Sequence, residues 1–143
     1  MSCVRLSHCV QRSLFRNASS SYSGGRLATS LAISSGVIRR HPDIKLLRRD
    51  SDPAGFAEQQ IAILQGVWPL LRPGGTLLYA TCSILGEEND DVVDRFLAAT
   101  ADAAAETLPV DWGVPTRRGR QLLPTVNGPD GLYYARLRKA EPA

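Results

Sequence analysis

The chain has 143 residues, which leaves room for one domain and excludes a second full domain, and its 43% hydrophobic content is enough for a single core of ordinary size. Its net charge of +3 is a mild basic bias that permits an anionic partner such as nucleic acid without identifying one. The three cysteines form no CxxC pair and no apolar run reaches the length of a membrane span, so we expect no metal site, no disulfide framework and no membrane segment.

Residues 1–35 are rich in serine and arginine, contain no acidic residue and show no consistent apolar period. We expect them to form a divergent, poorly ordered segment outside the core. This composition is typical of an organelle transit peptide, but a wrongly assigned start or a frameshifted reading of a GC-rich gene would produce it equally. A cytoplasmic location is therefore the default expectation, with an organelle as the alternative.

A strongly basic stretch, Gly36–Arg49, follows this segment and ends before the helix breaker Ser51-Asp52-Pro53. It is predicted to be a surface loop or short helix. Gly55–Leu71 then repeats apolar residues at three- and four-residue steps, which predicts an amphipathic helix lying on a sheet and distorted near its end by Pro69. The residues of its apolar face are Ile61, Leu64, Val67 or Trp68, and Leu71.

The turn Pro73-Gly74-Gly75 leads into Thr76–Thr81, a short β-prone run that carries apolar residues on both faces and is predicted to be buried on both. After Cys82, the acids between Gly86 and Asp91 suit the first turn of another helix. We expect its apolar face to consist of Val92, Val93, Phe96 and Leu97.

The remaining chain is predicted to end in a strand. The alanine-rich segment to Glu106 is ambiguous, and Trp112–Arg120 is predicted to be a loop with a basic cluster at Arg117, Arg118 and Arg120. Turn residues then precede Leu132–Arg138, whose residue types favour a terminal strand. The order helix, strand, helix, strand indicates an α/β fold.

Cys82 is the residue most suggestive of chemistry, because it lies between a predicted buried strand and a predicted helix, where ligands bind in α/β sheets. A helix N-terminus lowers a thiol pKa, whereas the nearby acids Glu87, Glu88 and Asp90 would raise it, so the direction of the shift stays open. On position alone, Cys82 is better explained as a small buried hydrophobic residue, because a single cysteine after a strand is a weak signal.

Three segments together resemble a known family. Leu71–Asn89, with the words Thr81-Cys82-Ser83 and Glu88-Asn89, closely resembles the segment around the catalytic cysteine of RNA (cytosine-5) methyltransferases. Gly36–Arg49 resembles the stretch after that family's Pro-Cys motif, most specifically in the bacterial enzyme that modifies 16S ribosomal RNA. Asp130–Leu137 resembles its closing strand. The resemblance covers about residues 36–139.

The resemblance implies that Cys82 is the nucleophile. In this family the cysteine of Thr-Cys-Ser adds to C6 of a flipped-out cytosine, C5 then takes the methyl group of S-adenosylmethionine, and the Pro-Cys cysteine assists breakdown of the adduct. The implied fold is the C-terminal part of a Rossmann-like methyltransferase domain over residues 36–139, followed by a tail at 140–143. The implied partner is ribosomal RNA.

Two departures from the family pattern limit what this chain is expected to do. The expected Pro-Cys falls at Leu31 and Ala32, the partner acid falls at Thr29, and no glycine-rich loop or ribose-binding acid precedes them. We therefore expect an incomplete sheet with unpaired strand edges, doubtful S-adenosylmethionine binding, and no methylation of RNA by these 143 residues alone.

The basic stretch is the candidate RNA contact. Its cations could bind phosphates directly, or they could simply be solvated charges on a loop, and the family resemblance favours phosphate binding. The candidate residues are Arg39, Arg40, Lys45, Arg48 and Arg49. His41 is expected to be held in the loop by hydrogen bonds, and Trp68 and Tyr79 are assigned to the core. The alternative function is a non-catalytic RNA-binding remnant or the product of a broken gene.

Overall fold

The structure is a computed structural model that describes residues 26–30, 52–126 and 128–141. Within these ranges, two α-helices lie on one six-stranded sheet. In chain order the elements are β1 (Arg26–Ser30), α1 (Asp52–Val67), β2 (Thr76–Thr81), α2 (Asp90–Ala99), β3 (Ala103–Glu106), β4 (Val114–Pro115), β5 (Gly119–Leu122) and β6 (Leu132–Lys139). No helix in the described ranges is long and apolar enough to cross a membrane.

Helix α1 confirms the predicted apolar period. Ile61, Leu64, Trp68 and Leu71 are buried, and they recur at the spacing that places side chains on one helical face. The last turn tightens into a 3₁₀ turn, Trp68–Leu70, because Pro69 lacks the N–H that an α-helical bond would need. The distortion predicted at this proline is therefore confirmed.

The sheet is organised around β2 and β6. β2 pairs parallel with β1 and antiparallel with β6, and the other edge of β6 pairs antiparallel with β3 and, further along, with β5. The expectation of unpaired edges beside the retained strand is wrong for β2, which has a neighbour on each side. β1 lies inside residues 1–35, where no strand was predicted, because strand pairing uses backbone groups and needs no particular side-chain pattern.

Only one face of the sheet is fully buried. In β2 the side chains of Leu77, Tyr79 and Thr81 are buried, whereas those of Thr76, Leu78 and Ala80 are partly exposed. The prediction that this strand is buried on both faces is wrong, because α1 and α2 both pack on the same side. The core therefore lies between the two helices and one sheet face, and it includes Trp68 and Tyr79 as predicted.

Helix α2 begins after a 3₁₀ turn, Gly86–Glu88, and carries Asp90 and Asp91 in its first turn, where the helix dipole stabilises negative charge. The predicted apolar face is confirmed, since Val92, Val93 and Phe96 are buried and Leu97 packs partly buried against the core. The ring of Phe96 meets that of Trp68 edge to face, with 5.1 Å between the centroids.

The region between α2 and β6 contains more strand than was predicted. The alanine-rich segment forms β3, and Trp112–Arg120, predicted to be a loop, contains β4 and the start of β5. A turn closed by Thr116 N–H donating to the Gly119 carbonyl joins β4 to β5. This hairpin was not predicted, because the arginines at its turn led us to expect a loop. The terminal strand β6 confirms the prediction at Leu132–Arg138 and extends one residue further.

Candidate active site

Cys82 directly follows the carboxyl end of β2 and is half-buried. The parallel register pairs Ser30 of β1 with Ala80 of β2, so the carboxyl ends of both strands meet at one edge of the sheet. This edge is where open α/β sheets bind their ligands. The predicted placement of Cys82 between a strand and a helix is confirmed, whereas its chemical role remains a prediction.

A buried hydrogen-bond network holds the loop that carries Cys82. The hydroxyl of Thr81 donates to Asn89 Oδ1 at 2.5 Å, and Asn89 Nδ2 donates back to the Ser83 carbonyl at 3.0 Å. The Ser83 N–H reaches Thr81 Oγ1 at 3.4 Å, and Ser83 Oγ accepts the Leu85 N–H at 3.1 Å. The residues on either side of the cysteine are therefore tied to Asn89, the N-cap residue immediately before α2.

Gln121 completes this network from β5. Its side chain is 8% exposed, its Oε1 accepts from Asn89 Nδ2 at 3.0 Å, and its Nε2 donates to the carbonyls of Ser83 at 3.2 Å and Leu132 at 3.0 Å. Gln121 is not among the site residues predicted from the sequence. Its alternation with the partly exposed Arg120 and Leu122 is the pattern of a strand with one buried face, and a buried amide there must find partners.

The pKa of the Cys82 thiol is raised, first by burial and then by the negative charge of Asp130. This resolves the direction that the sequence left open, and neither Glu87 nor Glu88 is among the causes. The pKa of Tyr134 is also raised, by burial and by the charge of Cys82, which shows that these two side chains are electrostatic neighbours. At neutral pH the thiol is therefore largely protonated.

The basic cluster of the β4–β5 turn is engaged with α2. Arg117 pairs with Asp91 at 2.6 Å and with Asp94 at 2.9 Å, and Arg118 also pairs with Asp94. The carboxylate of Asp90 accepts both backbone N–H groups of Arg117 and Arg118 at 3.0 Å. These two arginines therefore fix the turn to the helix.

The candidate RNA-binding residues Arg39, Arg40, Lys45, Arg48 and Arg49 lie outside the described residues, as do His41 and the positions of the expected Pro-Cys, Leu31 and Ala32. Thr29, at the position of the partner acid, lies in β1. Because β1 and β2 run parallel in register, the carboxyl end of β1 lies at the sheet edge at which Cys82 lies.

The described residues do not fit S-adenosylmethionine. Its cradle in a Rossmann-like sheet needs a glycine-rich turn after a strand, with an acid for the ribose. In residues 52–126 and 128–141 no run of glycines follows a strand, and Gly74-Gly75 precedes β2. Among the polar side chains around Cys82, those of Thr81, Asn89 and Gln121 already bond one another.

Comparison with known proteins gives concordant results. Residues 32–138 match the family described as 16S rRNA methyltransferase RsmB/F. Ribosomal RNA small subunit methyltransferase B from Salmonella paratyphi B is 55% identical over 104 residues, which are 73% of this chain and 23% of that protein. The chain thus spans about a quarter of the length of this curated relative.

Two crystal structures share the fold. The protein PH0851 is 29% identical with a TM-score of 0.71 over 80% of this chain and 26% of that chain. A methyltransferase homolog from Pyrococcus horikoshii is 26% identical with a TM-score of 0.64 over 80% of this chain and 39% of that chain. They confirm the predicted fold class, the C-terminal part of a Rossmann-like methyltransferase with an incomplete sheet.

Proposed function

Since the chain belongs to the RsmB/F family of 16S rRNA methyltransferases, we propose that Cys82 is the nucleophile that adds to C6 of a cytosine in 16S ribosomal RNA. The observation that carries this proposal is the loop of Thr81, Cys82 and Ser83. Its backbone and hydroxyls are fixed by Asn89 and Gln121, while the thiol stays half-exposed at the carboxyl edge of the sheet.

The chemistry of cytosine explains why a thiol is needed. C5 is too weak a nucleophile to take a methyl group unaided, whereas addition of a thiolate to C6 moves an electron pair to C5. The target base must leave its stack to expose C6, so the substrate is single-stranded or the base is flipped out. Because the pKa of Cys82 is raised, we expect addition to accelerate as the pH rises.

These 143 residues alone should stop at the adduct. S-adenosylmethionine is the methyl donor that membership of the family implies, and the described residues do not fit it. C5 of the adduct then takes a proton from water, and loss of one of the two C5 hydrogens as a proton, together with expulsion of the thiolate from C6, restores cytosine. Transfer of a methyl group would need a cofactor-binding part in addition to the described residues. A non-catalytic RNA-binding remnant is the rival function, supported by the net charge of +3.

The partner that the proposal requires is ribosomal RNA, so the proposed location is the compartment that holds the ribosomes, the cytoplasm. Arg39, Arg40, Lys45, Arg48 and Arg49 are proposed to bind its phosphates, because five cations close together in sequence would give a salt-dependent attraction.

The test uses a short RNA that is tritiated at C5 of its one cytosine. Addition and reversal exchange the hydrogen at C5 with water, so we expect tritium release by the purified chain and none by Cys82→Ser. The matched control is the double variant Cys3→Ser and Cys9→Ser, which should release tritium like the parent. RNA binding without any Cys82-dependent release, from a chain shown to be folded by circular dichroism, would refute the nucleophile and favour the remnant.

Methyl transfer is tested separately, with radiolabelled S-adenosylmethionine and an RNA carrying 5-fluorocytosine. Fluorine at C5 blocks breakdown of the methylated adduct, so transfer leaves a covalent, labelled complex of protein and RNA. We expect no saturable cofactor binding and no labelled complex. A labelled complex that Cys82→Ser abolishes would show that these residues do form a cofactor site, and the limit placed on the chain would be wrong.

A further inference from the structure

An aromatic pair, one exposed and one partly buried ring, lies on the partly exposed face of the sheet. Trp112 is 38% exposed, and its ring meets that of Tyr134 at an interplanar angle of 75° with 5.3 Å between centroids. The other tryptophan, Trp68, is 5% exposed in the core. Rings at such an angle contact edge to face, so Tyr134 covers at most one face of the indole. At 38% exposure the indole keeps part of its surface accessible to a flat ligand.

The strand register places this pair next to the candidate nucleophile. Tyr134 stands opposite Ala80 of β2 and opposite Arg120 of β5, and residues directly opposite in antiparallel strands share a sheet face. Cys82 follows Ala80 by two residues and is an electrostatic neighbour of Tyr134. Along this face the order is therefore thiol, phenol ring and indole ring.

The turn that presents Trp112 is held in place. Arg120 Nε donates to the Trp112 carbonyl at 2.6 Å, and its Nη2 donates to the Gly113 carbonyl at 3.2 Å. Gly113 has φ +72°, and a Cβ there would lie 2.9 Å from the Gln121 carbonyl oxygen, so the turn requires glycine. An exposed indole on a fixed turn loses little freedom when it binds.

Arg120 differs from its neighbours in the hairpin. Arg117 and Arg118 pair with carboxylates of α2, whereas the side-chain hydrogen bonds of Arg120 within the described residues go to the two carbonyls. A carbonyl does not neutralise a guanidinium. The fixed indole therefore has beside it a positive charge that complements a phosphate.

We propose that Trp112 and Arg120 bind the nucleotide adjacent to the target cytosine, whose base stacks on the indole while its phosphate pairs with the guanidinium. The proposal rests on the proposed function, because Cys82 defines where the target base lies. The target cytosine would lie against Tyr134, and the neighbouring base one ring further along the sheet. Bases of single-stranded RNA stack on aromatic side chains in this manner with little preference for sequence.

The experiment measures binding of a short fluorescent single-stranded RNA with one cytosine by anisotropy. Trp112→Leu should weaken binding about tenfold, which is within the range for loss of one base stack, and Trp112→Phe should recover most of it. The matched control is Leu70→Ala, an exposed apolar residue 79% accessible beyond the opposite end of β2, which should bind like the parent. Unfolding curves check that each variant is folded.

A second RNA, with an abasic site next to the cytosine, tests the pairing directly. The parent chain should bind this abasic RNA about tenfold more weakly than it binds the intact RNA. Trp112→Leu should bind the abasic RNA and the intact RNA equally well. Equal losses from parent and variant would overturn the proposal, as would unchanged binding by Trp112→Leu. Tritium release from the same RNAs separates the two proposals. If no release depends on Cys82, the proposed nucleophile is refuted. If release is normal but RNA binding is the same with and without Trp112, only the stacking site is refuted.

Discussion

Replacing Gln121 with methionine should loosen the loop around Cys82 while the hydrophobic core stays filled. Methionine is similar in volume but forms none of the amide's hydrogen bonds. Three bonds to other segments would be lost, namely those to Asn89, Ser83 and Leu132. The change therefore removes the link between β5 and the residues that flank the cysteine.

The magnitude follows from the number and burial of these bonds. A buried hydrogen bond contributes about 1 kcal/mol net, so the free energy of unfolding should fall by about 3 kcal/mol. The Ser83 carbonyl keeps its bond from Asn89 Nδ2, which limits the loss. The half-buried thiol should at the same time react several-fold faster with a small alkylating reagent, because the loop would open more often.

Urea unfolding followed by circular dichroism gives the stability, and mass spectrometry of peptides alkylated with iodoacetamide gives the rate at Cys82 alone. The matched control is Gln59→Met, the same chemical change at an exposed position of α1, for which we expect a change below about 0.5 kcal/mol. If Gln121→Met behaved like Gln59→Met in both measurements, the network would not hold the loop, and this reasoning would be wrong.

Three further changes test other parts of the site and core. Asp130→Asn removes a charge that raises the pKa of Cys82, so the curve of alkylation rate against pH should move to lower pH; a curve that stays in place contradicts the assigned cause. Tyr133→Phe removes the hydroxyl that donates to Asp90 at 2.7 Å and should cost about 2 kcal/mol in urea unfolding, whereas a loss below a few tenths would show that the bond is not stabilising. Phe96→Ala empties a fully buried site in α2 and should cost about 3–5 kcal/mol by the same measurement, and a cost near 1 kcal/mol would mean that the core refills.

The sequence predicted the elements whose own residues determine them. β2 is an apolar run released by a glycine turn, and α1 carries a regular apolar period, so both could be located from composition and spacing. The position of Cys82 followed from these two elements together with the acids of the next helix. The family resemblance then supplied a role that position alone could not.

Elements and contacts that depend on distant partners were missed. The β4–β5 turn is fixed by Asp90 and by ion pairs with α2, which no local pattern reveals. Gln121 looks like any polar strand residue until Asn89 is known to face it. β1 was not predicted because its pairing with β2 uses backbone groups and requires no particular pattern of side chains.

The central place of β6 in the sheet has a consequence for how the protein is made. β6 is the last strand along the described chain, yet β2, β3 and β5 all pair with it. None of these three pairings can form until the ribosome has synthesised Leu132–Lys139. During translation the edge of β2 that faces β6 must therefore stay unpaired, and loop closure over the intervening residues makes assembly slow once β6 appears. The nascent chain should therefore need chaperones mainly between the synthesis of β2 and the emergence of β6 from the ribosome.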